Sequence, residues 1–162
     1  MTTQSIAIDA MGGDVGPRVT IPASLDALKK YPNLRIILVG DQIQIESLLK
    51  KYDEINHPRL SIHKTTEVVL MDESPQSALK NKKNSSMRVA INLVKDGEAK
   101  ACVSAGNTGA LMATARFVLK TLQGIDRPAI ASNLPNRKGA TCMLDLGANA
   151  DCSAEQLLSL IH

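Results

Sequence analysis

The sequence predicts a three-layer α/β domain with a mostly parallel sheet and one antiparallel pair. Short apolar runs alternate with stretches whose apolar residues recur at helical spacing, which is the rhythm of a parallel sheet with helical crossovers. Several of those runs open into polar, glycine-containing loops. Late in the chain, two runs stand too close together for a helix to fit between them.

Composition sets the frame for these patterns. The chain has 162 residues, 44% hydrophobic and 22% charged, which suits one ordinary domain with an aliphatic core. Aromatic residues make up 2% of the chain, with no Trp and a single Phe, Phe117, so stacking on bases or sugars is disfavoured as a binding mode. The net charge of +3 is mild, and basic residues are scattered apart from Lys80, Lys82, Lys83 and Arg88. That pattern argues against a nucleic-acid protein and fits an anionic small substrate or an acidic partner surface, while the cluster itself reads first as a solvated loop. Cys102, Cys142 and Cys152 form no CxxC pair and have no His at ligand spacing, so they read as small core residues of a reduced, cytoplasmic protein without a metal. The first residues lack the charged start and apolar run of a secretion signal. No stretch approaches the roughly 20 apolar residues of a membrane-spanning helix.

In chain order, residues 5–9 (SIAID) form a buried-type strand. The loop AMGGDVGP at 10–17 follows, with Asp9 and Asp14 flanking Gly12 and Gly13. Those two acids suit either a cation or donor-rich ligand or the bonding of the loop's own amides. A helix is expected from near Pro22 through Leu25 and Leu28 to the break at Tyr31-Pro32-Asn33. Residues 34–39 (LRIILV) give the second strand, and Asp41 caps a helix buried through Ile43, Leu48, Leu49 and Tyr52. Residues 60–63 give the third strand, ending in a surface His63.

The rhythm breaks over residues 65–84, where Ser74-Pro75 reads as an N-cap followed by a first helical residue. So long an excursion is expected to be functional or an interface. A helix resumes at Ser85 with Met87, Ala90, Ile91 and Val94 inward, and Gly97 stands just past its end.

The fourth strand, at 101–104, opens into the stretch that organises the rest, residues 104–110 (SAGNTGA). A helix leaves it with Leu111, Ala115, Val118 and Leu122 on one face. Ser104, Gly106, Asn107, Thr108 and Gly109 place backbone donors and hydroxyls at the positive end of a helix dipole, a site for an anion such as phosphate. The same residues also suit a bare capped turn. The strands at 5–9, 34–39 and 101–104 are expected in the interior of the sheet. Residues 129–132 and 140–144 read as an antiparallel pair around a loop at 134–139. Residues 145–151 (DLGANAD) then give a third polar loop at a strand end, with Asp145 and Asn149, so that three loops meet on one sheet edge. A last helix near Ser153, with Leu157, Leu158 and Ile161 as its stripe, stops at His162 in mid-pattern, as in the N-terminal part of a longer enzyme.

Five blocks, DAMGGDVGP at 9–17, KKNSSMR at 82–88, SAGNTGA at 104–110, GIDRPA at 124–129 and DLGANAD at 145–151, resemble the bacterial phosphate acyltransferases of phospholipid synthesis, the PlsX family. The blocks stand in that family's order along the whole chain. The resemblance implies an enzyme that moves a fatty acyl group from acyl carrier protein to inorganic phosphate, without a cofactor. The acyl-phosphate product would be passed to the next acyltransferase of the pathway. It further implies an isocitrate/isopropylmalate dehydrogenase-like fold, a homodimer and a peripheral place on the inner membrane face. The family's chains are about twice as long, so the resemblance also admits a non-catalytic fragment. A nucleotide-binding oxidoreductase on a Rossmann-like sheet is disfavoured, because no G-x-G-x-x-G follows the first strand.

Overall fold

A computed structural model describes residues 3–144 apart from 124, 126 and 127. The chain divides into two compact units, residues 1–119 and 120–162.

The first unit contains β1 (Gln4–Asp9), α1 (Pro17–Lys30), β2 (Leu34–Gly40), α2 (Gln42–Lys51), β3 (Leu60–Lys64), α3 (Pro75–Asn81), α4 (Ser86–Lys95), β4 (Ala101–Val103) and α5 (Thr108–Leu119). Its four strands form a parallel sheet in the order β3-β2-β1-β4. Period-2 alternation along β2 divides the core between the two faces. Ile36 and Leu38 pack with Ile21, Leu25 and Leu28 of α1 and with Ile45 and Leu49 of α2. Val39 points the other way, with Ala7 of β1, and packs with Ala90 and Leu93 of α4. Helix, sheet and helix thus form three layers, and each fully buried Leu or Ile contributes about 1.5–3 kcal/mol through apolar burial. A third cluster, Val69, Ala78, Met87, Ile91, Ala110 and Val118, ties the 65–84 excursion to α4 and α5.

Several expectations are corrected. The first helix starts at Pro17 rather than near Pro22, after Gly16 turns the chain at φ 59. Pro22 lies inside the helix, where its missing N–H costs one rung of the ladder. On α2, Ile43 is 82% exposed and Tyr52 is exposed, while Ile45 and Leu49 take the buried stripe. β1 and β2 are interior as expected, but β4 stands at the edge of the described sheet, with Val103 53% exposed. α5 stops at Leu119, and Lys120 takes a left-handed φ of 68, which leaves Leu122 outside the helix and exposed.

The second unit's described part is a hairpin of β5 (Ala131–Asn136) and β6 (Gly139–Leu144), paired antiparallel. Most of the loop expected at 134–139 is strand. Only Arg137 and Lys138 form the turn, and Gly139 at φ 150 begins the return strand. The loop at 145–151 and the last helix lie outside the described residues.

Candidate functional site

β1 and β4 are neighbours, with Ile8 opposite Val103, so the loops after their carboxyl ends leave the sheet side by side. Ligands of open α/β sheets bind at that edge.

Asp9 closes β1 and is 1% exposed. Its Oδ2 accepts a hydrogen bond of 2.7 Å from the Ser104 hydroxyl, and Ser104 Oγ in turn accepts one of 3.0 Å from the Gly106 N–H. Asp9 Oδ1 has no hydrogen-bond partner among the described residues. Asp14, the second acid of the loop, is exposed.

The glycine pair lets the two loops touch. A Cβ on Gly12 would lie 2.6 Å from Asp9 Oδ2 and 3.0 Å from both the Gly106 nitrogen and Ser104 Oγ. Gly13, at φ 87, would meet the Ala105 carbonyl oxygen at 3.0 Å. Both residues therefore hold the β1 loop against the β4 loop, a role that spacing alone does not separate from ligand contact. Gly106 is itself buried, and a Cβ there would stand 3.1 Å from Met87 Cε of α4.

Asn107 precedes α5 and caps it. Its Oδ1 accepts from the Ala110 N–H at 2.9 Å, and its carbonyl accepts from Leu111. Its Nδ2 donates to the carbonyls of Leu70, Met71 and Glu73, at 3.3, 2.9 and 2.9 Å, which fastens the 65–84 excursion to the start of α5. The Asn107 side chain is thus engaged in the scaffold. Helix geometry leaves the N–H groups of Thr108 and Gly109 without intrahelical acceptors, and both residues are exposed. No acidic residue stands in that first turn. Burial pushes the Cys102 thiol above its usual range, and the Asp9 charge adds to that shift.

The basic cluster divides between elements. Lys80 lies on α3, Lys82 closes it, Lys83 is in the turn that follows and Arg88 is on α4. Lys80 and Lys83 are exposed, while the Arg88 guanidinium sits 5.2 Å from the centre of the Phe117 ring. α3 and α4 both pack on α5, so these residues flank the same helix. Asp145, Asn149 and the third loop lie outside the described residues, so two of the three expected loops are seen to meet.

Next to Asp9 and Ala105, an apolar groove of about 910 Å³ runs along β1, lined by Ile6, Ile8, Val19, Ala23 and Val103. Among the described residues, no group of three or more His, Cys, Asp and Glu side chains is placed to hold a metal ion. No helix among them is long and apolar enough to cross a membrane. Sequence reasoning missed the Asp9–Ser104 bond and the three-way donation of Asn107. Both join residues far apart in the chain, and no local pattern records either.

The family described as "Fatty acid synthesis protein" matches residues 4–160. Similar chains include the phosphate acyltransferases of Chromobacterium violaceum, 65% identical over 156 residues, and Methylococcus capsulatus, 60% identical over 157. Those matches cover 96% and 97% of this chain but 45% and 46% of the relatives, so the chain spans about half the length of the curated relatives it matches. Among solved structures, the EutD phosphotransacetylase of Staphylococcus aureus superposes with a TM-score of 0.64 at 18% identity, over 98% of this chain and 50% of that one. This likeness is one of fold: an α/β architecture with a mostly parallel sheet.

Proposed function

We propose, since the chain belongs to the fatty acid synthesis protein family, that it is part of an acyltransferase that joins a fatty acyl group to inorganic phosphate. The observation that carries this reading is the contact of the β1 and β4 loops just before α5, where Gly12 and Gly13 lie against Ser104, Ala105 and Gly106, at the kind of helix start that binds anions.

The chemistry requires little else from side chains. A phosphate oxygen attacks the carbonyl carbon of an acyl thioester and a C–O bond forms. The carbonyl oxygen carries the developing negative charge until the C–S bond breaks and the thiolate leaves to take a proton. Phosphate is already an anionic nucleophile, so a covalent Ser or Cys is not needed. Positioning of phosphate and N–H donors for the oxyanion supply most of the effect. In this reading Ser104, Gly106, Asn107, Thr108 and Gly109 build the phosphate turn, and Asp9, Gly12, Gly13, Asp145 and Asn149 complete the substrate site. Lys80, Lys82, Lys83 and Arg88 meet the acidic acyl carrier protein. The finer fold assignment is to the isocitrate/isopropylmalate dehydrogenase class. The parent protein is a homodimer resting on the inner membrane face and handing acyl-phosphate to the next acyltransferase.

The test is acyl-phosphate formation, read by mass spectrometry, from acyl carrier protein thioester and inorganic phosphate, with the Chromobacterium violaceum relative run beside this chain. The reading predicts phosphate-dependent product that Gly106→Val suppresses. Product formation indifferent to that substitution, or tight binding of NAD or NADP in a calorimeter, would contradict it.

A further inference from the structure

The Asp9 carboxylate is out of place in a simple anion site. It is 1% exposed, it stands at the floor of the turn that begins α5, and only one of its two oxygens is used: Oδ2 by the Ser104 hydroxyl, which itself takes the Gly106 N–H. Oδ1 has no partner among the described residues. A buried carboxylate oxygen without a donor is costly, so a donor is expected to come with the ligand. Beside an anion, a carboxylate is repulsive unless the anion itself brings a hydrogen to the contact.

We propose that Asp9 makes this site selective for protonated tetrahedral oxyanions: Oδ1 accepts a hydrogen bond from the hydroxyl of hydrogen phosphate, while the first-turn N–H groups of α5 hold its charged oxygens. The inference rests on the phosphate site proposed above and adds the rule by which that site chooses its anion. Sulfate has the same shape and the same charge of two at neutral pH, but it carries no proton. In its place, Oδ1 would face a bare oxygen, and the contact turns from an O–H···O⁻ bond into a repulsion between two acceptors. Sites built to receive a substrate hydroxyl reject analogues that lack it far more strongly than shape alone allows. Arsenate, which keeps a proton at neutral pH, passes the same filter. Gly12 is part of the device, because any larger residue would push into Asp9 Oδ2 and Ser104 Oγ and turn the carboxylate away.

Calorimetric titration of the whole chain with inorganic phosphate, arsenate and sulfate tests this before any substitution is made. Arsenate should bind within about tenfold of phosphate and sulfate at least ~100-fold more weakly. Asp9→Asn, which keeps size and polarity but can donate, should weaken phosphate, strengthen sulfate and bring the two within about tenfold. Ser104→Ala leaves Oδ1 in place, so it should weaken phosphate binding yet keep the preference over sulfate. It serves as the comparison if Asp9→Asn does not fold. Equal binding of phosphate and sulfate by the parent chain, or an unchanged ratio in folded Asp9→Asn, overturns the role of Asp9 while leaving a phosphate site standing. Failure of the parent chain to bind either phosphate or arsenate overturns the site itself.

Discussion

Gly12 illustrates how much one missing methyl group decides. A Cβ on it would press on Asp9 Oδ2, Ser104 Oγ and the Gly106 nitrogen, so Gly12→Ala must displace two loops at once. Overpacking of this kind costs about 1–3 kcal/mol, to be read from the urea midpoint at constant slope, and phosphate affinity should fall with it. Cys102 reports on the same spot from below. Its thiol is held above the ordinary value of 9.0 by burial first and the Asp9 charge second. Because the folded value is raised, the contribution is fully present below pH 9 and is lost as pH rises through the folded value. The parent's unfolding midpoint should therefore fall more steeply above pH 9 than that of Cys102→Ser, and parallel curves would refute the assignment. At this scale the glycines and hydroxyls of the site were legible in the sequence. Their division of labour was not: Asn107 spends its side chain on the carbonyls of Leu70, Met71 and Glu73, residues that only the fold brings to it.

Elements were legible where local chemistry decides them. Asp41 accepts from the Gln44 N–H, Ser74 from Ser77 and Ser85 from Arg88, each capping the helix it precedes, and Gly97 takes a positive φ just past the end of α4. They were misjudged where two signals competed. Pro17 and Pro22 both suit a helix start, and Gly16 decides for the earlier one by turning the chain into it. In the hairpin, Pro135 reads as loop, yet it pairs with Ala140 within β5 and β6. Arg59 shows what pattern reading omits altogether. Its guanidinium donates to the carbonyls of Leu28, Tyr31, Pro32 and Leu34, at 2.7 to 3.1 Å, and so joins the end of α1 to the start of β2. Arg59→Ala should cost about 2–3 kcal/mol in urea unfolding, since charged donors would be removed from several carbonyls. Arg59→Lys should recover less than half of that loss, because a compact ammonium cannot span the same fan. Equal stability of Arg59→Ala and the parent would show that the carbonyls are satisfied without it.

On the scale of the molecule, the rhythm of strands and helices gave the class of fold, because each parallel strand needs apolar residues on both faces and a crossover between partners. The edge position of β4 could not be read that way: its sequence is as apolar as that of an interior strand. The groove along β1 and the exposed Val19 and Val103 beside it present a continuous apolar surface. The chain should accordingly bind a hydrophobic fluorescent dye and associate as its concentration rises. Val103→Lys should reduce both, whereas a strictly monomeric, dye-free parent would contradict the exposure. Whether the turn between β4 and α5 holds phosphate is decided by titrating the chain with inorganic phosphate beside Gly106→Val and Thr108→Val. Binding should be saturable and one-to-one, weakened by about two- to tenfold in Thr108→Val, which loses one hydrogen bond. The loss should be larger in Gly106→Val, whose side chain would crowd Met87 and Ser104. Phosphate binding that both variants retain unchanged would mean that the turn is architecture alone.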